Sequence, residues 1–323
     1  MSMQSFQEIS ALFEQHLHSA IPFPQGQDSL YEPCRYLLNA GGKRIRPALC
    51  LMASGHFNGI SNDSLKAAMA IELFHNFTLI HDDIMDKSPL RRGKPTVHEK
   101  YGLTTGILSG DVMGIFSYQC LGQIAPELLP KVFTIFNKTA IEVCEGQQWD
   151  MDFENTHDVT IDQYLKMIEL KTSVLLAASL QIGAITGGAS DEDAEHLYEF
   201  GKNMGIAFQL QDDYLDTFGT EEKIGKRPGG DIKANKKTFL LLKSKSLANE
   251  TELEIINQLD IDADARVEKV RNVYLKLDID KHSKDIINQY SNYSFDHLDK
   301  ISIADDKKQQ LRFLASWLLN RQH

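Results

Sequence analysis

Apolar residues recur along this chain at intervals of three and four, the period of a helix lying against a core. Leu165, Ile168, Thr172, Leu175 and Leu176 make one such stripe, followed by Ser179 and Gly183. Alternating strand patterns bounded by turn pairs are scarce. Eight of the nine prolines fall between Pro22 and Pro130, and the last is Pro228. Outside them nothing fixes φ or removes a backbone donor, so long helices are free to form. Glycine pairs at Gly41-Gly42, Gly187-Gly188 and Gly229-Gly230 mark helix ends. The pattern predicts an all-α bundle of about a dozen helices. No Gly/Ser or Pro/Gly linker interrupts it, so residues 1–323 read as a single domain, with peripheral helices in the more polar stretch 244–310.

Composition narrows the class without naming it. A 323-residue chain that is 42% hydrophobic and 24% charged is an ordinary globular protein. No run of about 18 apolar residues predicts a membrane span. The N-terminus lacks the basic and apolar regions of a secretory signal. Cys34, Cys50, Cys120 and Cys144 show no paired spacing and read as small core residues in a reducing cytoplasm. A net charge of −11 argues against a nucleic-acid partner. It does not exclude a phosphorylated small molecule, because a divalent metal inverts the sign of an acidic pocket.

Two acidic clusters change the picture most. His81-Asp82-Asp83-Ile84-Met85-Asp86 and Gln211-Asp212-Asp213-Tyr214-Leu215-Asp216 share one Asp-Asp-x-x-Asp pattern after apolar turns. On a helix the first and last Asp of each stand one above the other, and like charges so placed repel. Hard divalent cations shared with phosphate oxygens relieve that repulsion. A single cluster would read as a solvated face; repetition in apolar company favours metal.

Each cluster is followed by a basic loop broken by Gly and Pro. Lys87 to Pro95 carries Arg91 and Arg92, and Gly225 to Asp231 carries Lys226, with Lys236 a little further on. A third basic run, Gly41-Gly42-Lys43-Arg44-Ile45-Arg46-Pro47, places Lys43 and Arg46 beside a helix start, where exposed N–H groups attract anions. His75 lies two turns before Asp82 and reads equally as a core histidine or a phosphate contact. Lys171-Thr172 sits in an apolar stretch, so the lysine needs a buried partner or a ligand. Gln147 and Asp150 add weaker polar signals in a helical context.

Together these residues resemble the trans-isoprenyl diphosphate synthases, the polyprenyl synthetase family. The resemblance runs from about residue 30 to 240. It rests on residues 41–47, Asp82 to Asp86 with Arg91-Arg92-Gly93, Gly146-Gln147 with Asp150, Lys171-Thr172, Phe208-Gln209 with the second cluster, and Lys226 and Lys236. It implies a helical bundle around a deep central cavity and a homodimer. It further implies that Asp82, Asp86 and Asp212 ligate Mg²⁺, with Asp83, Asp213 and Asp216 supporting. Arg91, Lys171, Lys226 and Lys236 would contact an allylic diphosphate, and Lys43, Arg46, His75 and Arg92 isopentenyl diphosphate. Thr172 and Gln209 would face the developing allylic cation. The chain departs from many relatives in ending Leu319-Asn320-Arg321-Gln322-His323 without a basic tail.

In this family the helix entering the first cluster walls the product cavity. Phe77 lies roughly 7.5 Å and Phe74 roughly 12 Å down the helix axis from Asp82, with small Thr78 between them. The resemblance therefore implies a short all-trans product, C15 to C20 and favouring geranylgeranyl. Rival readings are a terpene cyclase, a head-to-head condensing enzyme and a non-catalytic subunit of a heteromeric synthase. The paired clusters and the Lys43/Arg46 run weigh against all three.

Overall fold

A computed structural model describes residues 5–220 and 228–320, the last of them by its backbone alone. Among these residues the chain forms sixteen α-helices, one π-helical turn and one two-stranded hairpin, so the all-α expectation holds with more helices than the pattern predicted. Two of them, Val97–Tyr101 and Gly230–Lys233, have five and four residues, too few to show a period. The chain resolves into two compact units. One comprises residues up to Lys138 together with Ala178–Leu197; the other comprises Thr139–Ala177 and residues from Tyr198 onward.

In the first unit, α1 (Phe6–Ala20), α2 (Asp28–Asn39), α3 (Ile45–His56) and α4 (Asn62–Met85) are followed by the hairpin β1 (Leu90–Arg91) and β2 (Lys94–Pro95). Then come α5 (Val97–Tyr101) and α6 (Leu103–Leu121), and α7 (Leu129–Asn155) begins here. Capping boxes at Ser5/Glu8 and Ser61/Ser64 start α1 and α4 by satisfying their first free N–H groups. Helix α3 is buried almost all round. The segment from Ala178, part of α9 (Val174–Thr186), lies on it at backbone distance, because Gly183 and Gly187 carry no side chain. A Cβ at Gly187 would sit 2.7 Å from Ser54 Cα.

In the second unit, α8 (Ile161–Ile168) runs into a π-turn at Glu169–Ser173 and then α9, so the stripe read as one regular helix contains an insertion. The π-turn is gripped by glycines from two helices, α7 and α10 (Asp191–Phe218). A Cβ at Gly146 would collide with the Lys171 backbone, and one at Gly205 would sit 2.7 Å from Ser173 Cα. Six further helices follow: α11 (Gly230–Lys233), α12 (Phe239–Leu247), α13 (Glu250–Asn257), α14 (Ala263–Lys276), α15 (Ile279–Lys300) and α16 (Asp305–Asn320). Tyr164, Met167, Ile206, Leu210, Phe239 and Ile287 belong to one buried core cluster here.

Two sequence expectations need correction. The stretch Ile161–Thr186 contains an 18-residue window apolar enough to cross a membrane, but 78% of that window is buried inside the protein, so its apolarity is that of a core helix. Cys144 is exposed, unlike Cys34, Cys50 and Cys120, because it lies on the outer face of α7.

Candidate active site

The basic run between α2 and α3 is shaped by backbone conformation. Gly41, Gly42 and Arg44 have φ of 80°, 147° and 48°. The left-handed Arg44 turns its side chain inward. Its guanidinium donates to Glu14 Oε1, Glu72 Oε1 and the Leu38 carbonyl, each at 2.6 Å. Of the three cations in this run, the middle one is thus a buried anchor, and its neighbours face a cavity of about 410 Å³. Lys43, Arg46, His75 and Arg92 line that cavity, with Glu72 the carboxylate among its lining residues.

Arg46 Nη1 donates to His75 Nε2 at 3.1 Å, while the Arg46 Nε is buried with no hydrogen-bond partner among the described residues. Burial first, and then the arginines 46, 92, 91 and 44, hold the His75 pKa well below its ordinary value. His75 is therefore neutral and accepts through Nε2, which places its proton on Nδ1. Burial pushes Arg46 down to about 10, with Glu72 and Asp82 opposing, so it remains a cation at neutral pH. Arg92 lies over the glycine pair and donates to the Gly41 carbonyl; a Cβ at Gly42 would sit 2.9 Å from its guanidinium. A buried, unused N–H on a cation inside a basic cavity suits an anion with several oxygens.

The first acidic cluster occupies the last turn of α4, with Asp86 as the C-cap. Carboxylates at a helix C-terminus oppose the helix dipole, so positive charge must compensate them. The three aspartates differ. Asp82 is half-buried and Asp86 exposed, whereas buried Asp83 accepts a forked pair of hydrogen bonds from Arg91 at 2.7 and 2.8 Å. The hairpin makes this fork possible. Arg92 and Gly93, both with positive φ, form its two-residue turn and leave Arg91 opposite Lys94.

The second cluster lies inside α10 and repeats the division. Asp212 is half-buried, whereas fully buried Asp213 accepts from the Tyr164 hydroxyl at 2.6 Å and from Gln209 Nε2 at 3.1 Å. Burial raises the Asp213 pKa, and Lys236 is the largest influence lowering it. Asp216 accepts from the Asp231 backbone N–H at 2.8 Å. On the π-turn, Lys171 finds the partner its apolar setting required, Asp150 at 2.5 Å. Thr172 Oγ1 donates to Gln209 Oε1 at 3.4 Å. The buried Gln147 amide has no hydrogen-bond partner on either atom among the described residues. Lys226 lies outside the described residues, as does Arg321.

Below the first cluster, three α4 side chains fit against glycines spaced four apart on α6. Ile84 meets Gly106, His81 meets Gly110, and Phe77 meets Gly114, where a Cβ would lie 3.6 Å from the ring. Phe77 is half-buried and stacks edge-on against Phe74 at 5.5 Å; buried Phe74 rests on Phe136 at 5.4 Å. The Thr78 hydroxyl is tied to the His75 carbonyl at 2.8 Å. The sequence reading passed over Gly106, Gly110 and Gly114, whose regular spacing was a legible sign of close helix packing. It also passed over Glu72, Glu14 and Tyr164, which carry no local signal.

The donors present fit a hard cation. Asp82 and Asp86 stand one turn apart and offer oxygen ligands, as does Asp212. Among the described residues no group of three or more His, Cys, Asp or Glu side chains is gathered to hold a metal unaided.

Two Asp-Asp-x-x-Asp clusters on an all-α scaffold, together with a cationic cavity in the first unit, define a diphosphate-handling enzyme. Residues 27–277 match the polyprenyl synthetase family, and the chain belongs to it. It is 38% identical over 300 residues to the geranylgeranyl diphosphate synthase of Sulfolobus acidocaldarius, covering 90% of this chain and 91% of that one. A crystal structure of a geranylgeranyl pyrophosphate synthase superimposes with a TM-score of 0.94 at 41% identity, over 99% of this chain and 100% of that one. Another such synthase, from Corynebacterium glutamicum, complexed with isoprenyl diphosphate and magnesium, gives 0.84 at 27% identity over the whole of both chains. The protein is a short-chain trans-prenyltransferase, and these matches favour neither a cyclase nor a non-catalytic subunit.

Proposed function

We propose that the enzyme condenses isopentenyl diphosphate head-to-tail with an allylic diphosphate to give an all-trans product of C15 to C20, geranylgeranyl diphosphate foremost. The observation that carries this reading is the cavity of Lys43, Arg46, His75 and Arg92, with its unused buried Arg46 N–H. It fits the diphosphate of isopentenyl diphosphate. Lys171, Lys236, Arg91 and Lys226 would contact the allylic diphosphate. Mg²⁺ held by Asp82, Asp86 and Asp212 would neutralise the departing diphosphate charge. Asp83, Asp213 and Asp216 act behind these ligands by fixing Arg91, Tyr164 with Gln209, and the start of α11.

The chain's own residues orient the reaction and stabilise charge. Neutral His75 holds Arg46 towards its ligand. Thr172 and Gln209, paired with each other, present oxygens to the allylic cation formed as the C–O bond breaks. The isopentenyl double bond attacks that cation, and the released diphosphate takes the proton. No protein nucleophile is needed.

Phe77, seated on α6 and backed by Phe74, supports the short product length. Exposed Leu103, Ile107, Leu108 and Ile115 on α6 and Phe133 on α7 form an apolar surface that supports a homodimer. Four free cysteines support a reducing, cytoplasmic compartment. Purified protein with Mg²⁺, isopentenyl diphosphate and geranyl diphosphate should yield C15 to C20 prenyl diphosphates by mass spectrometry. Productive consumption of the allylic substrate without isopentenyl diphosphate would instead make it a cyclase.

A further inference from the structure

Helix α11 has four residues, too few to be stable alone, and it links the second acidic cluster to Lys236. Both its ends are tied. At its start, Gly229 N–H donates to the Asp216 carbonyl at 2.5 Å, and Asp231 N–H donates to the Asp216 carboxylate at 2.8 Å. At its end, Lys236 N–H donates to the Asp231 carbonyl at 2.9 Å and Asn235 N–H to the Ile232 carbonyl at 3.1 Å. That pair of bonds is a Schellman closure, in which the residue at 235 takes the left-handed conformation and is usually glycine. Here it is asparagine at φ 53°, one of five side-chain-bearing residues with positive φ among those described. Three of the others, Arg44, Lys87 and Arg92, lie in the basic loops already described, so backbone strain gathers where diphosphate is handled.

What holds Asn235 is Arg266, from α14. Its Nη2 donates to Asn235 Oδ1 at 3.0 Å, and its Nε donates to the Gln258 carbonyl at 3.1 Å, at the C-terminal end of α13. Arg266 is 4% exposed, and its Nη1 has no hydrogen-bond partner among the described residues. Carbonyls at a helix end offset part of the cost of burying such a cation. The adjacent Val267 packs on the other end of α11; a Cβ at Gly229 would lie 2.6 Å from Val267 Cγ1. A glycine at 235 with an apolar residue at 266 would close the same turn without a buried charge. The arginine adds a fixed direction of exit for the residue that follows.

We propose that Arg266 is a positioning residue for Lys236: by clasping Asn235 it fixes the left-handed turn that presents the lysine beside the second acidic cluster. The proposal rests on the reading that Lys236 contacts the allylic diphosphate.

The full-length enzyme with Mg²⁺ tests it in two ways, by KM for each substrate and by calorimetric affinity for inorganic pyrophosphate. Arg266→Met should raise the allylic KM and weaken pyrophosphate binding by about tenfold, as for loss of a hydrogen bond to a charged group, while the isopentenyl KM stays within about twofold. Asn235→Gly, which needs no clasp to keep the turn, should restore most of the loss when combined with Arg266→Met. If Arg266→Met does not fold, Asn235→Ala carries the test, because alanine meets the same strain without the clasp and should reproduce the allylic defect. Equal shifts in both KM values, or a lower Tm with both unchanged, would make Arg266 merely structural and overturn the proposal. Should wild-type enzyme elongate no primer, the functional reading fails, and pyrophosphate affinity still decides the role of Arg266.

Discussion

Arg91 forks onto Asp83 at 2.7 and 2.8 Å, so the buried second aspartate of the first cluster is held by the protein, while Asp82 beside it is only half-buried. The two carboxylates therefore fail differently when changed. Asp82→Asn should lower kcat by about 10²- to 10³-fold, the scale of removing one group that stabilises transition-state charge, with Tm unchanged. Asp83→Asn should in addition destabilise the fold by about 1–3 kcal/mol, since it breaks charge-assisted hydrogen bonds to a buried group. Thermal unfolding separates the two; equal Tm values would contradict the division.

His75 gives a pH signature. Its pKa in the folded protein is well below the ordinary 6.5, because of burial and four arginines. Below 6.5 the unfolded chain binds a proton there and the folded chain does not, so this group's contribution to stability falls as pH drops from 6.5 towards the lowered value. The loss of Tm between pH 7 and 5 should shrink in His75→Gln, and bound pyrophosphate should offset it in the wild type. An unchanged pH dependence in the variant would rule this out.

Phe77 and Phe74 predict separable effects on product length. Phe77→Ala opens a half-buried position on the wall and should lengthen the product by at least one isoprene unit with little loss of stability. Phe74→Ala removes a buried ring packed on Phe136 and should cost about 3–5 kcal/mol. Chromatography of dephosphorylated products and urea unfolding measure the two.

Ile115 is 67% exposed on α6 amid other apolar residues. Ile115→Glu should leave the protomer folded and halve the mass seen by light scattering. A mass unaffected by the change would count against the proposed homodimer contact on this face.

Much of the site was legible because its signals are local. Two carboxylates four apart, a cation run after Gly-Gly and a lysine in an apolar stretch each carry their meaning within one or two turns. The division of labour inside each Asp-Asp pair was half legible, since neighbouring helical residues point about 100° apart. What chose the inward member, Arg91 for Asp83 and Tyr164 for Asp213, comes from residues 8 and 49 positions away. The inward turn of Arg44 towards Glu14 and Glu72 depends on a left-handed backbone that no neighbouring residue type announces. The π-turn under Lys171 is set by Gly146 and Gly205 on other helices, so the regular stripe hid it.

The central claim is that two diphosphates occupy two different sets of cations. Steady-state kinetics with both substrates varied tests it directly in Arg46→Ala and Lys171→Ala. Arg46→Ala should raise the KM for isopentenyl diphosphate about tenfold or more and leave the allylic KM within about twofold, and Lys171→Ala should do the reverse, each losing one charge-assisted contact. Parallel shifts in both constants for both variants would contradict it.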